Sequence, residues 1–255
     1  MNPASEAHVE RELAQTPEAQ QVLHQLAIRR ATYGFALAAV LGLFLLWLPE
    51  SSRRSLIFSL FANRLLITLL LLFGLMAVSL LWSRGQRVDV WLFQALNLRG
   101  YHALWVDRAM WVATFIGNEG FVAALVVASY LLGDHGFAFT LGLGALTLLL
   151  LVTIIKACTD RARPFNLLRE TRVIGLRERG LSFPSGHTAQ TFFWVTLVVS
   201  HFHLPLGAAV ALYGIAVLVA FTRVYLGMHY PRDVIAGAIL AVIWGTTGVL
   251  VAPYL

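Results

Sequence analysis

Cysteine is nearly absent from this chain: Cys158 is the single one in 255 residues. One thiol excludes an intrachain disulfide and any cysteine-based metal cluster. Charge is scarce as well, at 13% of residues, whereas 58% are hydrophobic and the mean hydropathy is +0.74. Residues 1–30 are polar, with Glu6, Glu10, Glu12 and Glu18 set against Arg11, Arg29 and Arg30. They lack the basic-then-apolar order of a signal peptide. No Asp/Glu-rich cluster of the sort that builds a dedicated metal site is visible, so neither a metal nor another cofactor is expected. Internal repeats and low-complexity stretches are missing too.

What the chain has in quantity is apolar runs of about 18 residues, each long enough to cross a ~30 Å hydrocarbon core as a helix. A helix satisfies its own backbone in lipid, so the expected fold is all-α, a polytopic transmembrane helical bundle. Spans are expected at residues 65–82, 109–132 (interrupted by Asn118-Glu119-Gly120), 137–155, 188–202, 206–222 and 234–252, with residues 31–49 barely long enough for a seventh. If residues 31–49 lie at the interface instead, a six-span core remains with one extra N-terminal apolar segment. Residues 17–30 carry one apolar stripe, Val22, Leu23, Leu26 and Ala27, that suits a surface helix, with a solvated tail as the alternative. Residues 84–108 mix Trp91, Leu92 and Phe93 with Asp89 and Asn97, which suits an interfacial helix and a turn at Gly100.

The net charge of +6 and pI near 10.0 would admit a nucleic-acid partner. The basic residues, however, sit at the ends of apolar runs and form no extended soluble surface. The bilayer and the phosphate of a membrane lipid are the expected partners, with no nucleic acid. The oligomeric state is left open.

Three motifs emerge at one membrane face by span counting alone. Lys156, Arg161, Arg163 and Pro164 follow one span, and Pro184-Ser185-Gly186-His187 precedes the next. Two spans later come Arg223, His229 and Asp233. Lys156, Arg163 and Arg223 offer three fixed cations to a phosphomonoester, whose charge grows on its equatorial oxygens during transfer. At any one of these positions the ordinary reading is an interfacial anchor, and Arg161 is read as one. The start of a helix at Pro-Ser-Gly-His fits anion binding, because its first N–H groups are unpaired and its dipole favours negative charge. Gly186 lets the backbone approach closely and Ser185 adds a hydroxyl, although a plain N-cap would also explain Ser185. His187 and His229 can each serve as nucleophile or acid near neutral pH. Asp233, four residues after His229, would share a face with it if a helical turn joins them, and could fix its tautomer.

Together, Lys156-x6-Arg163-Pro164, Pro184-Ser185-Gly186-His187 and Arg223-x5-His229-x3-Asp233 resemble the three-part signature of the type-2 phosphatidic acid phosphatase superfamily. Thr222 stands where that family has serine, and it keeps the hydroxyl. The resemblance implies a metal-independent phosphatase in which His229 is the nucleophile, oriented by Asp233, and His187 protonates the leaving group. Lys156, Arg163, Ser185, Gly186 and Arg223 would bind the phosphoryl oxygens. The implied substrates are phosphomonoester or diphosphate lipids such as phosphatidate, phosphatidylglycerophosphate or undecaprenyl diphosphate. On this reading residues 1–30 are a polar segment, 31–64 an extra apolar or interfacial segment, and 65–255 the membrane-embedded phosphatase domain. A non-enzymatic anion-binding protein or transporter would explain the arginines, but not two histidines with Asp233.

The resemblance also implies a bacterial inner membrane protein with its site on the periplasmic face. The positive-inside rule points the other way, since Arg84, Arg87, Arg99 and Arg108 lie on the motif face, but binding-site charges distort that count. The connector 165–182 carries Arg169, Arg172, Arg177 and Arg179 and is expected either to govern headgroup choice or to be a solvated charged loop. Glu119 falls about 15 Å along a helix beginning near residue 109, by the 1.5 Å rise per residue. An ionised carboxylate facing lipid there would cost several kcal/mol, so Glu119 is expected to be buried inside the bundle.

Overall fold

The computed structural model describes residues 49–99, 103–168 and 170–254, with isolated positions before residue 49. The surface helix at 17–30, the run 31–49 and the turn at Gly100 thus lie essentially outside the described residues. The chain divides into Met1–Trp47 and Leu48–Leu255, and the second unit holds everything below. Its regular elements among the described residues are all helical: α1 (Glu50–Ala62), α2 (Arg64–Ser79), α3 (Ser83–Asn97), α4 (Leu104–Ala113), α5 (Glu119–Leu131), α6 (His135–Thr159), α7 (Pro164–Leu167), α8 (Gly186–His201), α9 (Leu206–Tyr225) and α10 (Pro231–Val251). Short 3-10 turns follow α4 and α10.

Three stretches are long and apolar enough to cross a bilayer as single rods: His135–Leu167, Leu206–Tyr225 and Pro231–Tyr254. Two more are bent pairs, α1 with α2 at 65° and Leu104–Gly117 with α5 at 53°. The second bend falls at Asn118-Glu119-Gly120, the interruption within the span expected at 109–132. Asn118 leaves helical geometry and its side chain accepts from the N–H groups of Gly120 and Phe121, so it caps a new helix. Glu119 therefore opens the first turn of α5, exposed, instead of lying inside a longer helix. A carboxylate there is favoured by the helix dipole.

Helix α8 is the axis of the bundle. Ala189, Phe193, Val195 and Leu197 along it are fully or almost fully buried, against Leu141 and Leu148 of α6, Ala216 of α9 and Ala241 of α10. Two glycines let neighbours meet its first turns. A Cβ at Gly237 of α10 would stand 2.6 Å from the carbonyl oxygen of Ser185, and one at Gly117 would stand 2.7 Å from that of His187. Either side chain would push the start of α8 out of place.

The turns at this end follow from local chemistry. Asp160 ends α6 in the left-handed conformation, at φ 46°, which an Asp tolerates better than most residues. Pro164 then starts α7 at a position where its missing N–H costs nothing. Along α3 one buried stripe runs Asp89, Phe93, Asn97, at the four-residue spacing of a single face. Asn97 donates to the carbonyls of Arg172 and Tyr225 and accepts from the N–H of Arg172, fastening the connector to the end of α9.

Candidate active site

The ends of α6, α9 and the starts of α7, α8 and α10 meet at one end of the bundle, as span counting predicts. They bring Lys156, Arg163, Ser185, Gly186, His187, Arg223, His229 and Asp233 together.

Arg163 is 2% exposed and held on several sides. Its Nε donates to Gly180 O at 3.2 Å, and Nη1 lies 3.4 Å from both Met228 O and His229 Nε2. Arg223, in the last turn of α9, donates from Nη1 to Thr114 Oγ1 at 2.8 Å. Lys156 lines the same space, with Nζ 3.9 Å from where a Cβ on Gly186 would be. Ser185 makes no side-chain cap to α8. Its oxygen accepts from Thr188 Oγ1 at 3.1 Å, which leaves its own proton available to a ligand. Gly186 faces the space between Lys156 and Val152 with nothing closer than 3.9 Å.

His229 is 1% exposed and lies between α9 and α10. Its Nδ1 side faces Ser182 Oγ at 3.4 Å and Asp233 Oδ2 at 3.6 Å, and its Nε2 side faces Arg163. Burial first, then Arg163 and Arg223, push its imidazole well below the ordinary histidine value, so it is neutral. With the Nδ1 proton toward the acceptors, the Nε2 lone pair points at the cations. His229 and Asp233 do not share a helical turn as expected. Helix α10 begins only at Pro231, and Tyr230 is its extended N-cap. Asp233 meets the histidine because its carboxylate folds back onto the Tyr230 N–H at 2.9 Å.

Two site residues carried no signal in the motifs. Glu178, on the connector, bridges Arg163 at 2.9 Å and Arg223 with separate oxygens, and lies 3.8 Å from His187 Nδ1. Burial alone would raise its carboxyl, but Arg223 foremost, with Arg163, holds it far below the usual carboxylate range. The second is Arg161, and the structure corrects its reading as a membrane anchor. Its side chain is 9% exposed and forks between Asp233 and Asp89. The spacing of 72 residues to each partner hides this contact from any local pattern.

A cavity of about 550 Å³ opens beside the cations, lined by Lys156, Arg163, Glu178, His187, Glu119 and Gln190 among others. Of the connector arginines, Arg179 lines it. Arg172 is instead clasped by Asp107, with contacts of 2.7 to 3.0 Å, and Arg177 stands over the Phe165 ring at 5.7 Å. Arg169 lies outside the described residues. Among the described residues no group of three or more His, Cys, Asp or Glu side chains is arranged to hold a metal ion.

Residues 137–255, which include all eight motif residues, match the family model of the PAP2 superfamily. Over 190 residues the chain is 26% identical to an undecaprenyl-diphosphatase of Sulfolobus acidocaldarius, covering 68% of this chain and 84% of that one. A phosphatidylglycerophosphatase B of Bacillus subtilis is 29% identical over 188 residues, 67% of this chain and 86% of the relative. A solved transmembrane PAP2-type phosphatidylglycerolphosphate phosphatase from Bacillus subtilis superimposes with a TM-score of 0.62 at 25% identity, over 72% of this chain and 93% of that one.

Proposed function

The chain belongs to the PAP2 superfamily of membrane phosphatases, and on that premise we propose that it hydrolyses a phosphomonoester or diphosphate lipid through a phosphohistidine on His229. The observation that carries this reading is the orientation of one imidazole. His229 turns Nδ1 to Ser182 and Asp233 and Nε2 to the arginine cluster where a phosphoryl group would be held.

Arg163, Arg223 and Lys156, with the N–H groups opening α8, bind the phosphoryl oxygens. Glu178 bridges Arg163 and Arg223 with its two oxygens as two phosphate oxygens would. Substrate entering from the cavity displaces that carboxylate and brings phosphorus to His229 Nε2. The Nε2 lone pair forms the N–P bond as the bond from phosphorus to the lipid oxygen breaks, and His187 gives that oxygen its proton. Water then attacks the phosphohistidine, His187 accepts the water proton, and inorganic phosphate leaves with His229 restored. These steps involve no metal.

The substrates in view are phosphatidate, phosphatidylglycerophosphate and undecaprenyl diphosphate, and the setting is a bacterial inner membrane with the site on its periplasmic face. Much of the basic charge on that face is committed: Arg161, Arg163, Arg172, Arg223 and Arg232 are all ion-paired. The positive-inside count, which rests on Arg84, Arg87, Arg99 and Arg108, points to the opposite face, and labelling of Cys158 distinguishes the two orientations. Phosphate release by purified protein, measured on each of the three lipids with and without EDTA, tests this function. Turnover of at least one lipid, insensitive to EDTA and abolished in His229→Ala, is expected. Turnover that vanishes with EDTA and returns with magnesium would refute the metal-free steps.

A further inference from the structure

Behind the nucleophile lies a second layer of charge that the motifs do not describe. Arg161 donates to Asp233 from Nη1, and from Nη2 to Asp89 and, at 2.8 Å, to Gln86 Oε1. Asp89 in turn accepts from the Arg232 N–H at 3.0 Å and lies 3.1 Å from Arg232 Nε. The Arg161 guanidinium also covers the Tyr230 ring at 4.4 Å from its centroid. Two carboxylates and two guanidiniums thus form a balanced set. Side-chain exposure is 0% at Asp233, 1% at Asp89, 9% at Arg161 and 11% at Arg232.

A buried carboxylate needs a compensating positive charge, or it takes up a proton. Asp233 has two candidates for that charge, Arg161 on one oxygen and His229 at 3.6 Å from the other. While Arg161 supplies it, the imidazole has no need of a second proton and its Nε2 lone pair stays free. We propose that Arg161 is a positioning residue of the phosphatase reaction, keeping His229 neutral and nucleophilic by neutralising Asp233, with Asp89 holding the guanidinium in place. This rests on the reading of His229 as the nucleophile.

The other charges facing His229 act in the same direction or are fixed. Arg163, from the start of α7, Arg223, from α9, and Lys156, from α6, oppose an imidazolium; Glu178, from the connector, favours one but is bound to both arginines. Tyr230, next in the chain, stacks under Arg161. Asp233, from α10, is the carboxylate nearest the Nδ1 side, and Arg161 decides its balance. Without Arg161 the His229–Asp233 pair takes up one proton, and on the imidazole that proton occupies the atom that must attack.

The test is a set of kcat–pH profiles on one detergent-solubilised lipid phosphate, so that ionisation of the substrate is common to all variants. In Arg161→Gln the acid limb is expected to rise by about one pH unit or more, with a roughly tenfold or greater loss near pH 7 that shrinks toward pH 9. Asp89→Asn removes a negative charge from the same set, so its acid limb must not rise even if kcat falls. A merely structural role predicts the same loss in both variants at every pH. The double variant Asp89→Asn/Arg161→Gln leaves no unpaired Asp89 and guards against misfolding of the single one; its acid limb is also expected to rise. An unmoved limb in every folded variant lacking Arg161, or an equal rise in Asp89→Asn, overturns the proposal. The wild type is assayed in parallel for a phosphohistidine on His229; its absence would overturn the nucleophile assignment, and this proposal with it.

Discussion

Glu178 shows how much a single residue can decide at this site. Its carboxylate occupies the bridging position between Arg163 and Arg223, so any dianion must compete with an internal anion already bound. Glu178→Gln keeps the shape and removes the charge. Vanadate, which adopts the five-coordinate geometry of a transferring phosphoryl group, should then inhibit more tightly, because no internal anion has to be displaced. Inhibition curves on the wild type and the variant measure this, and unchanged or weaker inhibition would show that Glu178 does not compete for the site. The convergence of Lys156, Arg163, His187, His229 and Asp233 at one place was readable, because identity and spacing coincide there. Arg161 and Glu178 were not, because their meaning comes from partners tens of residues away. An arginine two positions before Arg163 looks like another membrane anchor until Asp89 and Asp233 are placed beside it.

At the scale of elements, the break between α4 and α5 is the most instructive. The apolar run through residues 109–132 favours one long helix, and hydropathy alone supports it. Asn118-Glu119-Gly120 is nevertheless a helix start, with a capping side chain followed by an acidic first turn. The local signal prevails because Asn118 satisfies two N–H groups that a straight helix would have engaged differently. Loss of the cap in Asn118→Ala should destabilise the fold by about 1 kcal/mol. Glu119→Leu should change thermal stability little, since the side chain is exposed and no ion pair is recorded for it among the described residues. Melting curves in one detergent decide this: a large loss for Glu119→Leu with none for Asn118→Ala would argue for a buried carboxylate after all. By contrast, α6, α8, α9 and α10 lie close to where the apolar runs placed them, because span length leaves a helix in lipid little freedom.

For the whole molecule, orientation in the membrane is the open geometrical choice, and the composition supplies the probe. Cys158 is the chain's only cysteine, exposed in the last turn of α6 on the site face. A membrane-impermeant maleimide should label it in intact cells if the site is periplasmic. Labelling that appears only after the cells are broken would place the site in the cytoplasm. The convergence of three distant motifs at one end of the bundle was legible from span counting, because alternating spans return the chain to the same face. The depth of His229 was not, since the Tyr230 N-cap and the fold-back of Asp233 set it.

The central claim is that phosphate passes through His229, and the covalent intermediate is its most direct test. Purified protein is quenched during turnover of a lipid labelled in its phosphate, and the labelled residue is mapped. The account predicts a phosphoenzyme that is stable to alkali and labile to acid, as an N–P bond is, located on His229 and absent from both His229→Ala and His229→Asn. Full turnover by His229→Ala, or label mapped to another residue, would contradict it.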